Sequence, residues 1–388
     1  MRSATVLGLA VMLTACGGGG GSGGSSTSLA TGYFKDSNTQ GVRYVSGGRA
    51  GVTGADGSFT YEVGRPVSFY LGSGTNLPLG TVAVGQSVVT PVDLVASGST
   101  LSPAVQNLTR FLMMLDQDGD PSNGITISPA VQAAATGWTA PDFTRAEAAF
   151  NTAVNPIVTA VGIVDARTPT LPSAAAARTH VETTLRCARS GGFRGTYSGN
   201  DSGRFGVVVD AASGNVDGLG YSNTLAAGFI ITGTSSVSLD QSGIFSSGVA
   251  STGATYSGRM TSPDTVSGTW SNTTNSGTFS GARVGGALNA KYRYTGRFQN
   301  FGGPLTAYGL YTFDIDASNN VTGVAYDIAS DSLETLTGTV SGPALSGFIG
   351  TGGTYSATIN LAAGTVTAAT WSKGAVNGTF TASGCQLN

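Results

Sequence analysis

The sequence predicts a mainly β fold: a small β-sandwich, a short helical segment, then a duplicated antiparallel β meander arranged as a barrel or a sandwich. Three observations carry this. Glycine is abundant, 60 of 388 residues, while charged residues make up only 10% against an average near 25%. Residues 31–97 and the stretch from 192 onward alternate apolar and small polar side chains with period two. The second of these stretches also repeats itself at an offset of roughly 100 residues. A net charge of −2 gives no electrostatic reason to expect a nucleic-acid partner. The length suits two or three domains.

The amino end comes first. Arg2 supplies one positive charge, and residues 4–13 are apolar apart from Thr5. This is the length of a signal-peptide apolar region and too short for a membrane span, which needs about 20 residues. The run ends at Leu13-Thr14-Ala15-Cys16. That string resembles the bacterial lipobox, and the resemblance implies cleavage of 1–15 and acylation of Cys16. The alternative is an ordinary secretory signal with a small-residue cleavage site. Gly17 follows the Cys where an Asp would imply inner-membrane retention, so the resemblance implies a lipid anchor in the cell outer membrane. Residues 17–28 are almost pure Gly and Ser, a flexible tether reaching roughly 20 Å. The linker extends to residue 30.

Within 31–97, short alternating runs are divided by turn residues: 41–45, 57–63 and 67–71, with Ala55-Asp56-Gly57 and Gly64-Arg65-Pro66 between them. Thr53-x-x-x-Gly57-x-Phe59 resembles the hairpin motif of carboxypeptidase-regulatory-like, transthyretin-type sandwiches. In that family the module is a spacer and brings no catalytic residues.

Residues 98–187 change to helical spacing. Ser102-Pro103 is an N-cap followed by Pro at the first helical position, and Val105, Leu108, Leu112 and Leu115 recur on one face. Ser128-Pro129 opens a second helix. Thr144-Arg145-Ala146-Glu147 has the form of a capping box opening a third. A fourth follows Ser173.

The region 188–388 holds two copies, about 192–284 and 290–386. Residues 205–210 match 311–316, Gly253–Ser257 matches Gly352–Ser356, 266–270 matches 366–371, and 277–279 matches 378–380. Each copy has room for about eight strands. The run Gly277-Thr278-Phe279-Ser280-Gly281 resembles small barrels of surface lipoproteins that bind host proteins. With Cys16 assigned to lipid, Cys187 and Cys385 remain, bracketing this region. In an oxidising space they read as one disulfide, the alternative being two buried thiols.

One local motif points to a cation. Asp116, Asp118 and Asp120 stand at i, i+2 and i+4, followed by Asn123. Oxygen ligands at this spacing suit Ca²⁺, and the string resembles the D-x-D-x-D loops of EF-hand and thrombospondin-type repeats, which implies a structural ion. It departs from the EF-hand at position six (Pro121) and position twelve (Ile127), so a further ligand has to come from elsewhere, with Asp142 and Glu147 as candidates. The other reading is an acidic turn whose side chains bond their own backbone.

No catalytic constellation emerges. The single His180 sits on a helix as a satisfied or surface residue. The one G-x-S-x-G match lies in the linker, and none of the three lysines, Lys35, Lys291 and Lys373, follows a glycine as a phosphate loop requires. Asp314 with Asp316, and Asp210 with Asp217, are candidate carboxylate pairs expected to be solvated. Aromatic residues recur at equivalent places in the repeats, which core packing explains and a sugar-stacking platform would also use. The expectation is a non-enzymatic, lipid-anchored binding or adhesion protein with a protein or glycan partner. A carrier of small apolar ligands in a barrel lumen, or less plausibly a carboxylate-based glycoside hydrolase, are the alternatives.

Overall fold

A computed structural model describes residues 27–286, 289–301 and 307–387, and gives no side-chain description for 233, 234 and 261. The lipobox, Cys16 and most of the Gly/Ser tether lie outside the described residues. Twenty-five strands and four α-helices are present among those described, so the chain is mainly β.

The first module is built from two sheets. One has three strands in the order Ser58–Glu62, Leu29–Phe34, Val88–Val89; the other has four, in the order Arg49–Val52, Arg43–Ser46, Val67–Leu71, Leu77–Val82. The Thr53-to-Phe59 motif is not a hairpin here, because the chain crosses from the four-stranded sheet to the three-stranded one. The geometry explains its residues. Thr53 Oγ1 accepts from the Val42 amide at 3.0 Å and donates to the Thr39 carbonyl at 2.7 Å. Gly57 has φ +77, and a Cβ there would meet the Phe34 carbonyl oxygen at 2.4 Å. Phe59 then enters the core against Phe69, with ring centroids 5.1 Å apart.

The helices are α1 (Pro103–Leu115), α2 (Pro129–Ala135), α3 (Glu147–Val164) and α4 (Ala174–Arg189). Val105, Leu108, Leu112 and Leu115 of α1 are fully buried, as their spacing predicts. Ser128 and Ser173 cap α2 and α4 through the amides of Val131 and Ala176. The capping box at Thr144 does not form. Helix α3 starts at Glu147, whose carboxylate instead accepts from the Ala174 amide at 3.0 Å and lies 3.5 Å from Arg110. Tertiary partners outbid the local cap.

The duplicated region folds as two closed eight-stranded antiparallel barrels. The first runs from Gly191–Gly199 to Ser276–Val284 and closes with Gly192 opposite Val284. The second runs from Tyr292–Asn300 to Val376–Gln386 and closes with Tyr292 opposite Gln386. The matched sequence segments occupy equivalent strands, so the repeat is structural. The barrels pack side by side through Val208, Val284, Leu310, Tyr326 and Ile328. Gly206 permits this approach, since a Cβ there would sit 2.5 Å from Leu310. Strands Gly203–Val209 and Tyr308–Ile315 are therefore buried on both faces, and their sequences read as nearly continuous apolar runs.

Both barrels dock on the carboxyl end of α4. Arg283 of the first barrel donates to the carbonyls of Ser190 and Ala188, and Arg293 of the second donates to Ser190 at 3.3 Å. Arg189 reaches Ser238 and Asp240 in return. These guanidiniums lie where the helix leaves unpaired carbonyls and partial negative charge. Cys187 and Cys385 meet here at bonding distance, 2.02 Å between sulfurs, across a sequence separation of 198.

Candidate functional site

The site that the fold builds is a pair of lumens. Along each barrel strand alternate side chains point inward, and the recurrent aromatics occupy those inward places. The first barrel encloses about 270 Å³, walled by Phe205, Phe229, Phe245, Tyr256, Trp270 and Phe279. The second encloses about 180 Å³, walled by Tyr311, Phe313, Leu336, Tyr355, Trp371 and Phe380. Ring pairs such as Tyr197–Trp270 at 5.8 Å and Tyr311–Phe380 at 5.4 Å are edge-on, the favoured aromatic arrangement.

The two ends of each barrel differ. The base of the first barrel, around 236–244, is held by Arg189 and by Gln241, whose backbone amide donates to the Gly98 carbonyl. Its mouth is formed by the opposite turns, with Asn200, Asp201, Thr224, Asn272 and Asn275 on the rim. The second barrel's mouth carries Asp327, Ser332, Glu334 and Lys373.

The polar atoms in the walls are already occupied. Trp270 Nε1 donates to the Ser198 carbonyl and Trp371 Nε1 to Thr379. Tyr256 donates to the Thr232 carbonyl, and Tyr311 to Thr381. Burial pushes the Tyr256 phenol up to about 12, and burial together with Asp201 does the same to Tyr197. Burial also raises Tyr311 and Tyr355. These phenols stay protonated at neutral pH and act as donors, not bases. At the first mouth, burial opposes ionisation of Asp201, yet hydrogen bonds from Thr224, Ser222 and Tyr197 outweigh it and lower its pKa. At the second, burial raises Asp327, with Glu334 adding to the effect. Lys373 Nζ pairs with Glu334 Oε1 at 2.5 Å.

A second feature lies on the outside. Ser257, Thr269, Thr278 and Ser198 stand opposite one another across four strands of the first barrel. Thr339, Ser346, Ser356, Thr370 and Thr379 do the same on the second, beside the exposed ring of Phe348.

The acidic loop has a different character. Asp116 is 1% exposed and its Oδ1 accepts from the Thr126 amide at 2.9 Å. Asp118 accepts from the Asp120 amide and from Asn123 Nδ2, and Asp120 accepts from Ser122. The hydrogen bonds are those of an acidic turn, and no group of three His, Cys, Asp or Glu side chains converges among the described residues. Asp142 accepts from Thr144 and Glu147 from Ala174, so both are engaged elsewhere. Asp116 Oδ2 is buried without a hydrogen-bond partner. Burial, reinforced by neighbouring Asp118, raises the Asp116 carboxyl to about 6.

The carboxylate pairs do not form grooves. Contrary to the expectation of solvation, Asp314 is buried and bonds Arg293 at 2.9 Å, because the outer face of its strand is covered. Asp316 caps its own turn through Ser318 and Asn320. Asp210 accepts from Ala212 and Ser213, and Asp217 pairs with Arg297. His180 is largely buried and not the satisfied histidine expected: Nε2 lies 3.4 Å from the buried Asp36, but that nitrogen and both Asp36 carboxylate oxygens lack a hydrogen-bond partner. What the sequence reading missed is the buried charge set around α4: Arg283, Arg293, Asp314 and Asp36. The available signal was a charge inside an apolar run, as in Tyr292-Arg293-Tyr294 and Phe313-Asp314-Ile315.

No protein-family model matches the chain, and no curated protein matches it.

Proposed function

We propose that this chain is a non-enzymatic binding protein of the cell envelope, acylated at Cys16 and held at the outer membrane, that takes a small apolar ligand into its barrel lumens. The observation that carries the reading is the pair of aromatic-walled cavities, each with polar residues lining it at the end away from the α4 junction. Convergent apolar walls with a few rim polar groups are the usual form of a small-molecule site. The walls offer no base or nucleophile, which supports binding rather than catalysis. The first module resembles transthyretin-type spacers and would serve to lift the barrels from the membrane. Ca²⁺ bound through Asp116, Asp118, Asp120 and Asn123 would be a structural ion, a proposal supported by the unpartnered Asp116 Oδ2.

The adhesion form of the same reading, with a protein or glycan partner, is favoured by the cross-strand hydroxyl rows, which suit hydrogen bonding to a neutral polyhydroxylated surface. Titration calorimetry of the full chain carrying Cys16→Ser, with propylbenzene and with a neutral-glycan array, separates the two. Saturable propylbenzene binding lost in Trp270→Ala with Trp371→Ala supports the lumen. Glycan binding with no propylbenzene uptake replaces it with adhesion. Globomycin-sensitive processing of the native chain tests the anchor.

A further inference from the structure

The charge at the two mouths narrows the ligand's chemistry beyond apolar character, and this step rests on the lumen reading above. In the second barrel the mouth holds two carboxylates, Asp327 and Glu334, and one cation, Lys373. Lys373 is neutralised in place by Glu334. Asp327 makes no ion pair among the described residues; its Oδ1 accepts from the amides of Ala329 and Ser330, at 2.8 and 3.3 Å, and the Ser330 side chain adds a further hydrogen bond. In the first barrel Asp201 stands on a rim that is otherwise uncharged. Among the residues lining each mouth, carboxylates therefore outnumber cations by one.

The walls behind them have the same preference. Aromatic faces are negative and attract ammonium groups, and seven aromatic residues line the first lumen or its rim and six the second. An anion entering either lumen would meet a carboxylate first and aromatic rings next, with no unpaired cation among the described lining residues. An ammonium group resting at the rim keeps part of its hydration, avoiding the cost of burying a charge, while the apolar body fills the interior. The volumes set the size: a dry cavity of about 150 Å³ takes a benzene-sized guest, so 180 and 270 Å³ fit a substituted single ring and a somewhat larger body.

We propose that the lumens select compact amphipathic amines, an aromatic or short alkyl body bearing one protonated amino group, and reject the matching carboxylates. Asp327 receives the amino group in the second barrel and Asp201 in the first.

The test uses three near-isosteric probes on the full chain carrying Cys16→Ser: propylbenzene, 2-phenylethylamine and 3-phenylpropanoate. A charge-assisted contact makes the amine bind about tenfold tighter than the carboxylate. Asp327→Asn with Asp201→Asn removes that difference, so that the amine and the carboxylate bind alike. Lys373→Met, which frees Glu334, increases the amine preference, a gain that misfolding cannot imitate. Equal binding of amine and carboxylate, with propylbenzene still bound, overturns the amine selectivity alone. Absence of binding by all three overturns the lumen reading itself.

Discussion

Removing the Cys187–Cys385 bridge is the sharpest test of how the two barrels are held. The bridge closes a loop of sequence separation 198. In the loop-entropy relation, ΔS is −2.1 − 1.5R ln n, which for this loop is about −18 cal/mol/K, or about 5 kcal/mol at 25 °C. The sulfurs lie in a small buried cluster with Ala290 and Leu387, so Cys187→Ala with Cys385→Ala leaves little new cavity and isolates the covalent constraint. For a unit of this size 1 kcal/mol moves the melting temperature by about 2–4 °C, which puts the expected fall at about 10–20 °C. The assay is thermal unfolding followed by fluorescence. Trp270 and Trp371 report one barrel each, and Trp138, packed beside the helical core, serves as the reference outside the loop. Wild-type protein in a reductant should converge on the variant. A melting temperature within about 2 °C of wild type for both barrel reporters would refute the reasoning, and would mean that the Arg283 and Arg293 contacts to α4 alone hold the unit closed.

Three further outcomes are expected. Arg293→Met removes the ion-pair partner of the buried Asp314 carboxylate and should cost about 3–5 kcal/mol in denaturant unfolding, whereas Arg293→Met with Asp314→Leu should recover most of it; equal losses would show that the pair is not coupled. Asp116→Asn should stabilise the calcium-free chain at pH 7. Its carboxyl is raised from 3.8 to about 6, so the folded state disfavours the ionised form by about 3 kcal/mol above that value. Millimolar Ca²⁺ should raise the melting temperature of wild type and not of this variant, and a wild type indifferent to Ca²⁺ ends the metal proposal. For His180, burial opposes protonation, but Asp36 outweighs it and raises the pKa above 6.5. The pair's contribution is then fully present below pH 6.5 and lost as pH rises through the raised value; His180→Gln should flatten that part of a stability–pH profile.

Much of the local structure was legible because its causes are local. Ser102-Pro103, Ser128 and Ser173 mark helix starts through capping and fixed φ. The period of apolar residues placed α1, and the repeat placed equivalent strands on equivalent sides of each copy. Thr144 misled for a physical reason: Glu147 has a stronger partner in Arg110 and the start of α4 than a capping box offers. Asp314 misled because period two assigns it the outer face, and nothing local reveals that α4 and the neighbouring barrel cover that face. The lumens themselves were anticipated only as an alternative, since alternation says which residues face inward and not whether their volumes fill the space.

Local propensity, turn chemistry and duplication, all written along the chain, determined the mainly β class, the helical segment, the pairing partners Cys187 and Cys385, and the recurrent aromatics. Closure was decided only in three dimensions. Whether eight strands form a barrel or a sandwich depends on the first meeting the last, Gly192 with Val284 and Tyr292 with Gln386, contacts separated by some ninety residues in each repeat. The same distance effect set the charge of the mouths, where Asp327 and Lys373 come together from turns far apart in sequence. Neighbours along the chain report their own conformational preferences; which surfaces remain hollow, covered or charged is a sum over partners that only the packed molecule brings within reach.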